Sequence, residues 1–151
     1  MAVYYIVLCL HILGATIWAG GHLVLALSIL PSALKEKNAE IILEFEKRFE
    51  KVGLPALGTQ LLTGLWLAYH ILGMPNHWFS SEPIAHLVQA KLLFLTLTLA
   101  LAISARLFVI PKLSNENLRV LAWHIRLVTT LAVLFVLVGA SIRLGGYPAF
   151  N

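Results

Sequence analysis

Four of the six histidines in this chain lie inside long apolar runs, a position that demands a chemical reason. An ionisable side chain within a bilayer is costly and is read by default as functional. His11 and His22 share the first run with Trp18 between them. Eleven helical residues make three turns plus about 20°, so both imidazoles fall on one face, roughly 16 Å apart along the axis. Gly14 and Ala15 on that face are small enough to leave room for a bound group. In the second run Thr59, Thr63, Trp66 and His70 fall within about 60° on a helical wheel, a polar stripe on an apolar helix. Gly58 and Gly64 beside it permit close helix approach. Lys91 lies inside the third run with Arg106 near its far end, and His124 and Arg126 open the fourth.

The elements that must position these groups follow from composition. A chain of 151 residues with 60% hydrophobic and 12% charged residues, and mean hydropathy +0.87, is built for a membrane. Four apolar stretches, 4–30, 54–72, 86–110 and 119–144, are long enough to cross a bilayer. The expected fold is all-α: one integral membrane domain over 1–151, an antiparallel four-helix bundle. A short amphipathic helix joins spans one and two, where Ile42, Phe45, Phe49 and Val52 recur at three- and four-residue spacing and should form its buried face. Pro31 should end the first span, and Gly53 and Pro55 should mark the bend or first turn of the second. Trp78 and Phe79 read as interface anchors in the loop before span three, and Asn115 or Asn117 as the cap of span four.

Lys35, Lys37, Lys47, Arg48, Lys51, Lys112 and Arg119 follow spans one and three, whereas the loop after span two holds no Lys or Arg. The positive-inside rule therefore places both termini on the outer side. The same basic residues account for the net charge of +4 and a pI near 9.5 without nucleic acid. The N-terminus lacks the basic region of a signal peptide, so the first span should persist in the mature protein. Cys9 is the single cysteine and excludes an internal disulfide.

Alternating direction then sorts the histidines by depth. His11, His70 and His86 fall in an outer group with His77 in its loop, and His22 and His124 form an inner pair. A haem between helices needs one or two axial ligands, small residues and cations for its propionates. His11 and His70 are the axial candidates, Gly14 provides clearance, Trp18 borders the face, and Lys91 is the propionate partner. His22 and His124, with Arg126 and Arg106 as cations, would form a second haem or metal site. The structural alternatives stand beside these: a lone imidazole can simply bond a neighbouring helix, Lys91 can snorkel to the interface, and tryptophans can pack. Copper at His11, His70, His77 and His86 is the other chemical reading, although Met1, Met74 and Cys9 are few soft ligands for a copper conduit. No Ser–His–Asp set or HExxH is present for a hydrolase. A lipid bilayer is the expected partner, with a redox partner or homo-oligomer left open.

HILGATIWAGG (11–21) resembles the first-span signature of the copper-resistance CopD family and of the related HemJ-type protoporphyrinogen oxidases. FEKRFEKVGLPALGTQLLTG (45–64) is similar to the second-helix entry of HemJ proteins, and AKLLF (90–94) and SARL (104–107) sit where that group places an intramembrane lysine and an arginine. The resemblance implies a small helical protein of the bacterial inner membrane that binds haem b, with His11 the matched axial histidine and Lys91 the matched functional lysine. A haem-dependent oxidoreductase activity is open under it. Gln89 stands where HemJ proteins carry a histidine, and WHIR (123–126) where they carry an Asn-Glu-Ala-Pro-like element, which favours the CopD branch.

Overall fold

The computed structural model describes residues 1–114 and 117–145, and every described element is helical. The first helix, α1, spans Ala2–Val24 and runs without interruption through a π-helical stretch, Leu25–Ile29, into α2, Leu30–Glu36. Pro31 does not end it. A proline ring crowds the carbonyl four residues earlier, and the wider π turn just before it opens that space; the Leu30 N–H bonds Leu25 O, five residues back. The helix stops at Lys37, which adopts a left-handed conformation at φ 50°.

The amphipathic helix and the second apolar run form one element, α3, Glu40–Leu72. This corrects the expectation of a separate short helix: the chain stays helical through Gly53 and Pro55 because α1 covers that stretch. Asn38 Oδ1 accepts the Glu40 N–H at 3.0 Å and secures the start, and Gly73 at φ 77° releases the chain at the end. Ile42 is buried as expected, but Val52 is 53% exposed; Phe45 and Phe49 stack on each other and are half-buried.

A 3-10 turn, Pro75–Phe79, leads to α4, Pro83–Ser104, which continues through a second π-helical stretch, Ala105–Val109, and a 3-10 turn, Ile110–Lys112. Trp78 is not an interface anchor. It is buried, donates Nε1–H to Gly73 O at 3.0 Å, and packs with Ala68 and Val88; Phe79 remains 73% exposed. The last helix, α5, spans Leu118–Arg143. Asn117 precedes it, yet its side chain serves the turn, donating to Lys112 O and accepting the Ser114 N–H. Asn115 lies outside the described residues.

Helix α1 packs against both α3 and α5, and α5 packs against α4. Along the first seam the partners run from Tyr4 with His70 to Gly21 with Phe49. Along the α4–α5 seam they run from Lys91 with Gly139, through Phe94 with Phe135, to Ser104 with His124. Two apolar clusters close the ends. Leu25, Leu30, Ala33, Ile42, Leu121 and Ile125 unite four elements at one end, and Trp78 with its neighbours does so at the other. Among the described residues three helical stretches, Ala2–Glu36, Pro83–Lys112 and Leu118–Arg143, are long and apolar enough to cross a membrane. In α3 the polar Thr59, Gln60, Thr63 and His70 dilute the apolar run.

Candidate functional site

The polar stripe of α3 faces α1 and holds His11. The His11 Nδ1 lies 2.9 Å from Thr63 Oγ1, and Gln60 donates its Nε2–H to the His11 carbonyl. Thr63 itself donates to Thr59 O one turn earlier, so its oxygen is free to accept from Nδ1–H. That bond fixes the ring and leaves Nε2 as the nitrogen with the open lone pair. Gly64 makes room for the ring: a Cβ there would stand 3.1 Å from His11 Cε1.

Lys91 reaches the same level from the opposite flank. It is half-buried, and a Cβ on Gly139 of α5 would stand 3.2 Å from its Nζ. The apolar stretches 4–30, 54–72, 86–110 and 119–144 hold no Asp or Glu, and among the described residues the one ion pair is Arg106–Glu50. Arg143 bonded to Tyr4 Oη and Thr129 bonded to His22 O set α5 antiparallel to α1, which brings Gly139, and with it Lys91, level with His11. A histidine from α1 and a lysine from α4, each seated on a glycine of its neighbour helix, thus stand at one depth. The arrangement offers one directed imidazole and one cation without a protein counter-charge.

The other expected groups are placed differently. His70 is exposed, its ring stacked on Trp66 at 5.0 Å and tilted against Tyr4 at 5.1 Å. Since Tyr4 and Thr63 are each seven residues from the neighbouring histidine, His70 stands about 10 Å from His11 along the seam. One iron needs its ligand nitrogens about 2 Å away, so the two do not serve a single metal in this geometry. Gly14 is buried, but against Ala56 O and the Gln60 side chain; it permits the approach of α3 rather than clearance for a cofactor. Gly58 has nothing within 4 Å of an added Cβ and makes no close helix contact.

At the other end Trp18 packs its ring 4.3 Å from His22, and His22 Nδ1 bonds Trp18 O at 2.9 Å. Phe49 meets the same imidazole edge-on at 5.8 Å. His124 does not join them. Its Nε2 lies 3.2 Å from Ser104 Oγ and its Nδ1 3.0 Å from Val120 O, so both nitrogens are engaged between α4 and α5. Thr129, not His124, reaches α1 at this depth by donating to His22 O at 3.1 Å. Five residues separate the two on α5, about 140° and 7.5 Å of helix. The cations expected here are also turned away: Arg106 bonds Glu50 at 2.7 Å, and Arg126 lies over the exposed Trp123 ring. His77 and His86 are exposed.

No group of three or more His, Cys, Asp or Glu side chains converges among the described residues. Gln60, Gly139 and Thr129 take part in the geometry without having been singled out by spacing. Gln60 was readable as one turn before Thr63; Gly139 was not, because its role depends on which helix faces Lys91.

Residues 43–142 match a family model described as CopD, copper resistance protein D. No curated protein and no solved structure matches the chain.

Proposed function

The chain belongs to the copper resistance protein D family, and from that premise we propose a four-span, antiparallel integral membrane redox protein that binds one haem b. His11 is the axial ligand and Lys91 the cation for a propionate. The observation that carries this reading is the His11 ring, held through Nδ1 by Thr63 with Nε2 left open, at the depth of an unpaired lysine. Hydrogen-bonding one ring nitrogen fixes the tautomer in which the other ligates metal, the usual support for a metal-bound histidine. Porphyrin brings four nitrogens of its own and asks the protein for one or two ligands, which suits a site with one directed histidine. When bound, haem supplies a one-electron couple. Thr63 orients the imidazole, Gly64 and Gly139 leave space for the two side chains, and the apolar helices exclude water. The spans alternate in direction with both termini outside, and His70 stands apart from this haem.

A copper-binding protein without haem is the second reading, favoured by the family's description. It would draw on His11 or, at the other end, on His22, each of which has one ring nitrogen hydrogen-bonded and the other open. The visible spectrum of protein purified in detergent from haem-sufficient cells separates the two. A Soret band near one haem per chain, lost in His11→Ala and kept in His70→Ala and His77→Ala, is the expected result. A colourless preparation with stoichiometric copper would transfer the proposal to copper.

A further inference from the structure

Thr98 is a buried polar group that the site does not use. It is 3% exposed on α4, and among the described residues its Oγ1 has no hydrogen-bond partner. Threonines in helices ordinarily donate to the carbonyl four residues back, as Thr16, Thr59, Thr96 and Thr130 do here. Thr98 forgoes that bond. A buried hydroxyl without a partner carries a desolvation penalty that ordered water commonly relieves, provided the surroundings leave room.

The surroundings are small. Lys91, Phe94 and Thr98 share one face of α4 at spacings of three, four and seven, and the first two touch Gly139 and Phe135 of α5. That register sets Thr98 level with Ala132, which is 2% exposed. Thr129 bonded to His22 O brings the buried Ala19 of α1 to the same level. Roughly two turns to either side, the α4–α5 seam carries further polar groups: Lys91 toward one end, and Ser104 bonded to His124 toward the other.

We propose that Thr98 marks an internal water site, the midpoint of a proton route along the α4–α5 seam between Lys91 and Ser104. The rise of α4 puts Thr98 about 10 Å from Lys91 and about 9 Å from Ser104, gaps spanned by a few waters in file. A hydroxyl accepts from one water and donates to the next, so a proton entering at one end leaves at the other with no net change at Thr98. The Phe94–Phe135 edge contact at 5.8 Å narrows the seam between Lys91 and Thr98, which makes passage slow and keeps it selective for protons over larger ions. The route begins at Lys91, the residue assigned above to the propionate, and does not itself require a bound haem.

The test uses the full chain in phosphatidylcholine vesicles containing trapped pyranine, with a valinomycin potassium potential driving protons inward. Wild type should acidify the lumen faster than empty vesicles. Thr98→Val, which keeps the shape and removes the hydroxyl, should slow it about tenfold, the rate equivalent of one lost hydrogen bond. Thr98→Ser should retain the rate, and so should Thr96→Val, whose hydroxyl is exposed and bonded to Leu92 O. Wild-type flux equal to empty vesicles, an undiminished rate in Thr98→Val, or an equal loss in Thr96→Val would overturn the proposal.

Discussion

At the scale of single residues, each interior polar side chain is judged by which of its atoms are already engaged. His124 has both ring nitrogens committed and His11 only one, so the two histidines differ although both sit in apolar runs. Glu46 shows the same logic outside the spans. It is half-buried on α3, and burial first, then the neighbouring Glu50 charge, raise its pKa above the ordinary carboxylate range, with Arg106 opposing. The folded state therefore holds the Glu46 proton more tightly than the unfolded chain does. Its contribution to stability is fully present at low pH and is lost as pH rises from the ordinary value through the raised one. Melting temperatures in detergent across that range should fall with pH in wild type, and Glu46→Gln should flatten the slope. An unchanged slope in the variant would remove Glu46 as the cause.

At the scale of elements, the two prolines show how packing overrides a local signal. Pro31 follows a π-helical stretch and Pro55 lies within α3, and the helix continues past both. Pro55 still leaves the Lys51 carbonyl without its helical donor, a cost of up to about 3 kcal/mol in an ordinary helix interior. Pro55→Ala should therefore raise the melting temperature in detergent without altering the helical circular dichroism. A fall would mean that the proline shapes the bend on which α1 packs. The Glu50–Arg106 bridge joins α3 to the second π-helical stretch, but both side chains are substantially exposed, 38% and 67%. Bridges of that kind contribute about 0–1 kcal/mol, so it aligns the two elements more than it stabilises them.

At the scale of the whole molecule, four helices in the order α3, α1, α5, α4 place the polar groups between two apolar clusters. The distribution of Lys and Arg predicts that residues 34–50 and 76–83 lie on opposite sides of the bilayer. Single cysteines placed in the two segments, on a Cys9→Ser background, should react with an impermeant maleimide from opposite sides. Labelling of both from one side would break the four-span topology and with it the depth order of the histidines.

Much of this was legible without coordinates. Helical type and apolar spans follow from composition and periodicity, because in lipid a chain must satisfy its own backbone, and a helix does so within each segment. The facing of His11 and Thr63 was half legible: the stripe on α3 was visible as a wheel pattern, while its partner was not. What only tertiary structure decided is which stripe meets which. Rotation and register of packed helices depend on many small contacts summed along a seam, such as Gly14 on Ala56 and Gly64 on His11. Shifting that register by one turn would move every pairing by about 5.4 Å. Depth along a span could therefore be counted from the sequence, which put His22 and His124 at similar levels. Azimuth could not, and azimuth turned His124 onto Ser104 and brought Lys91 to Gly139.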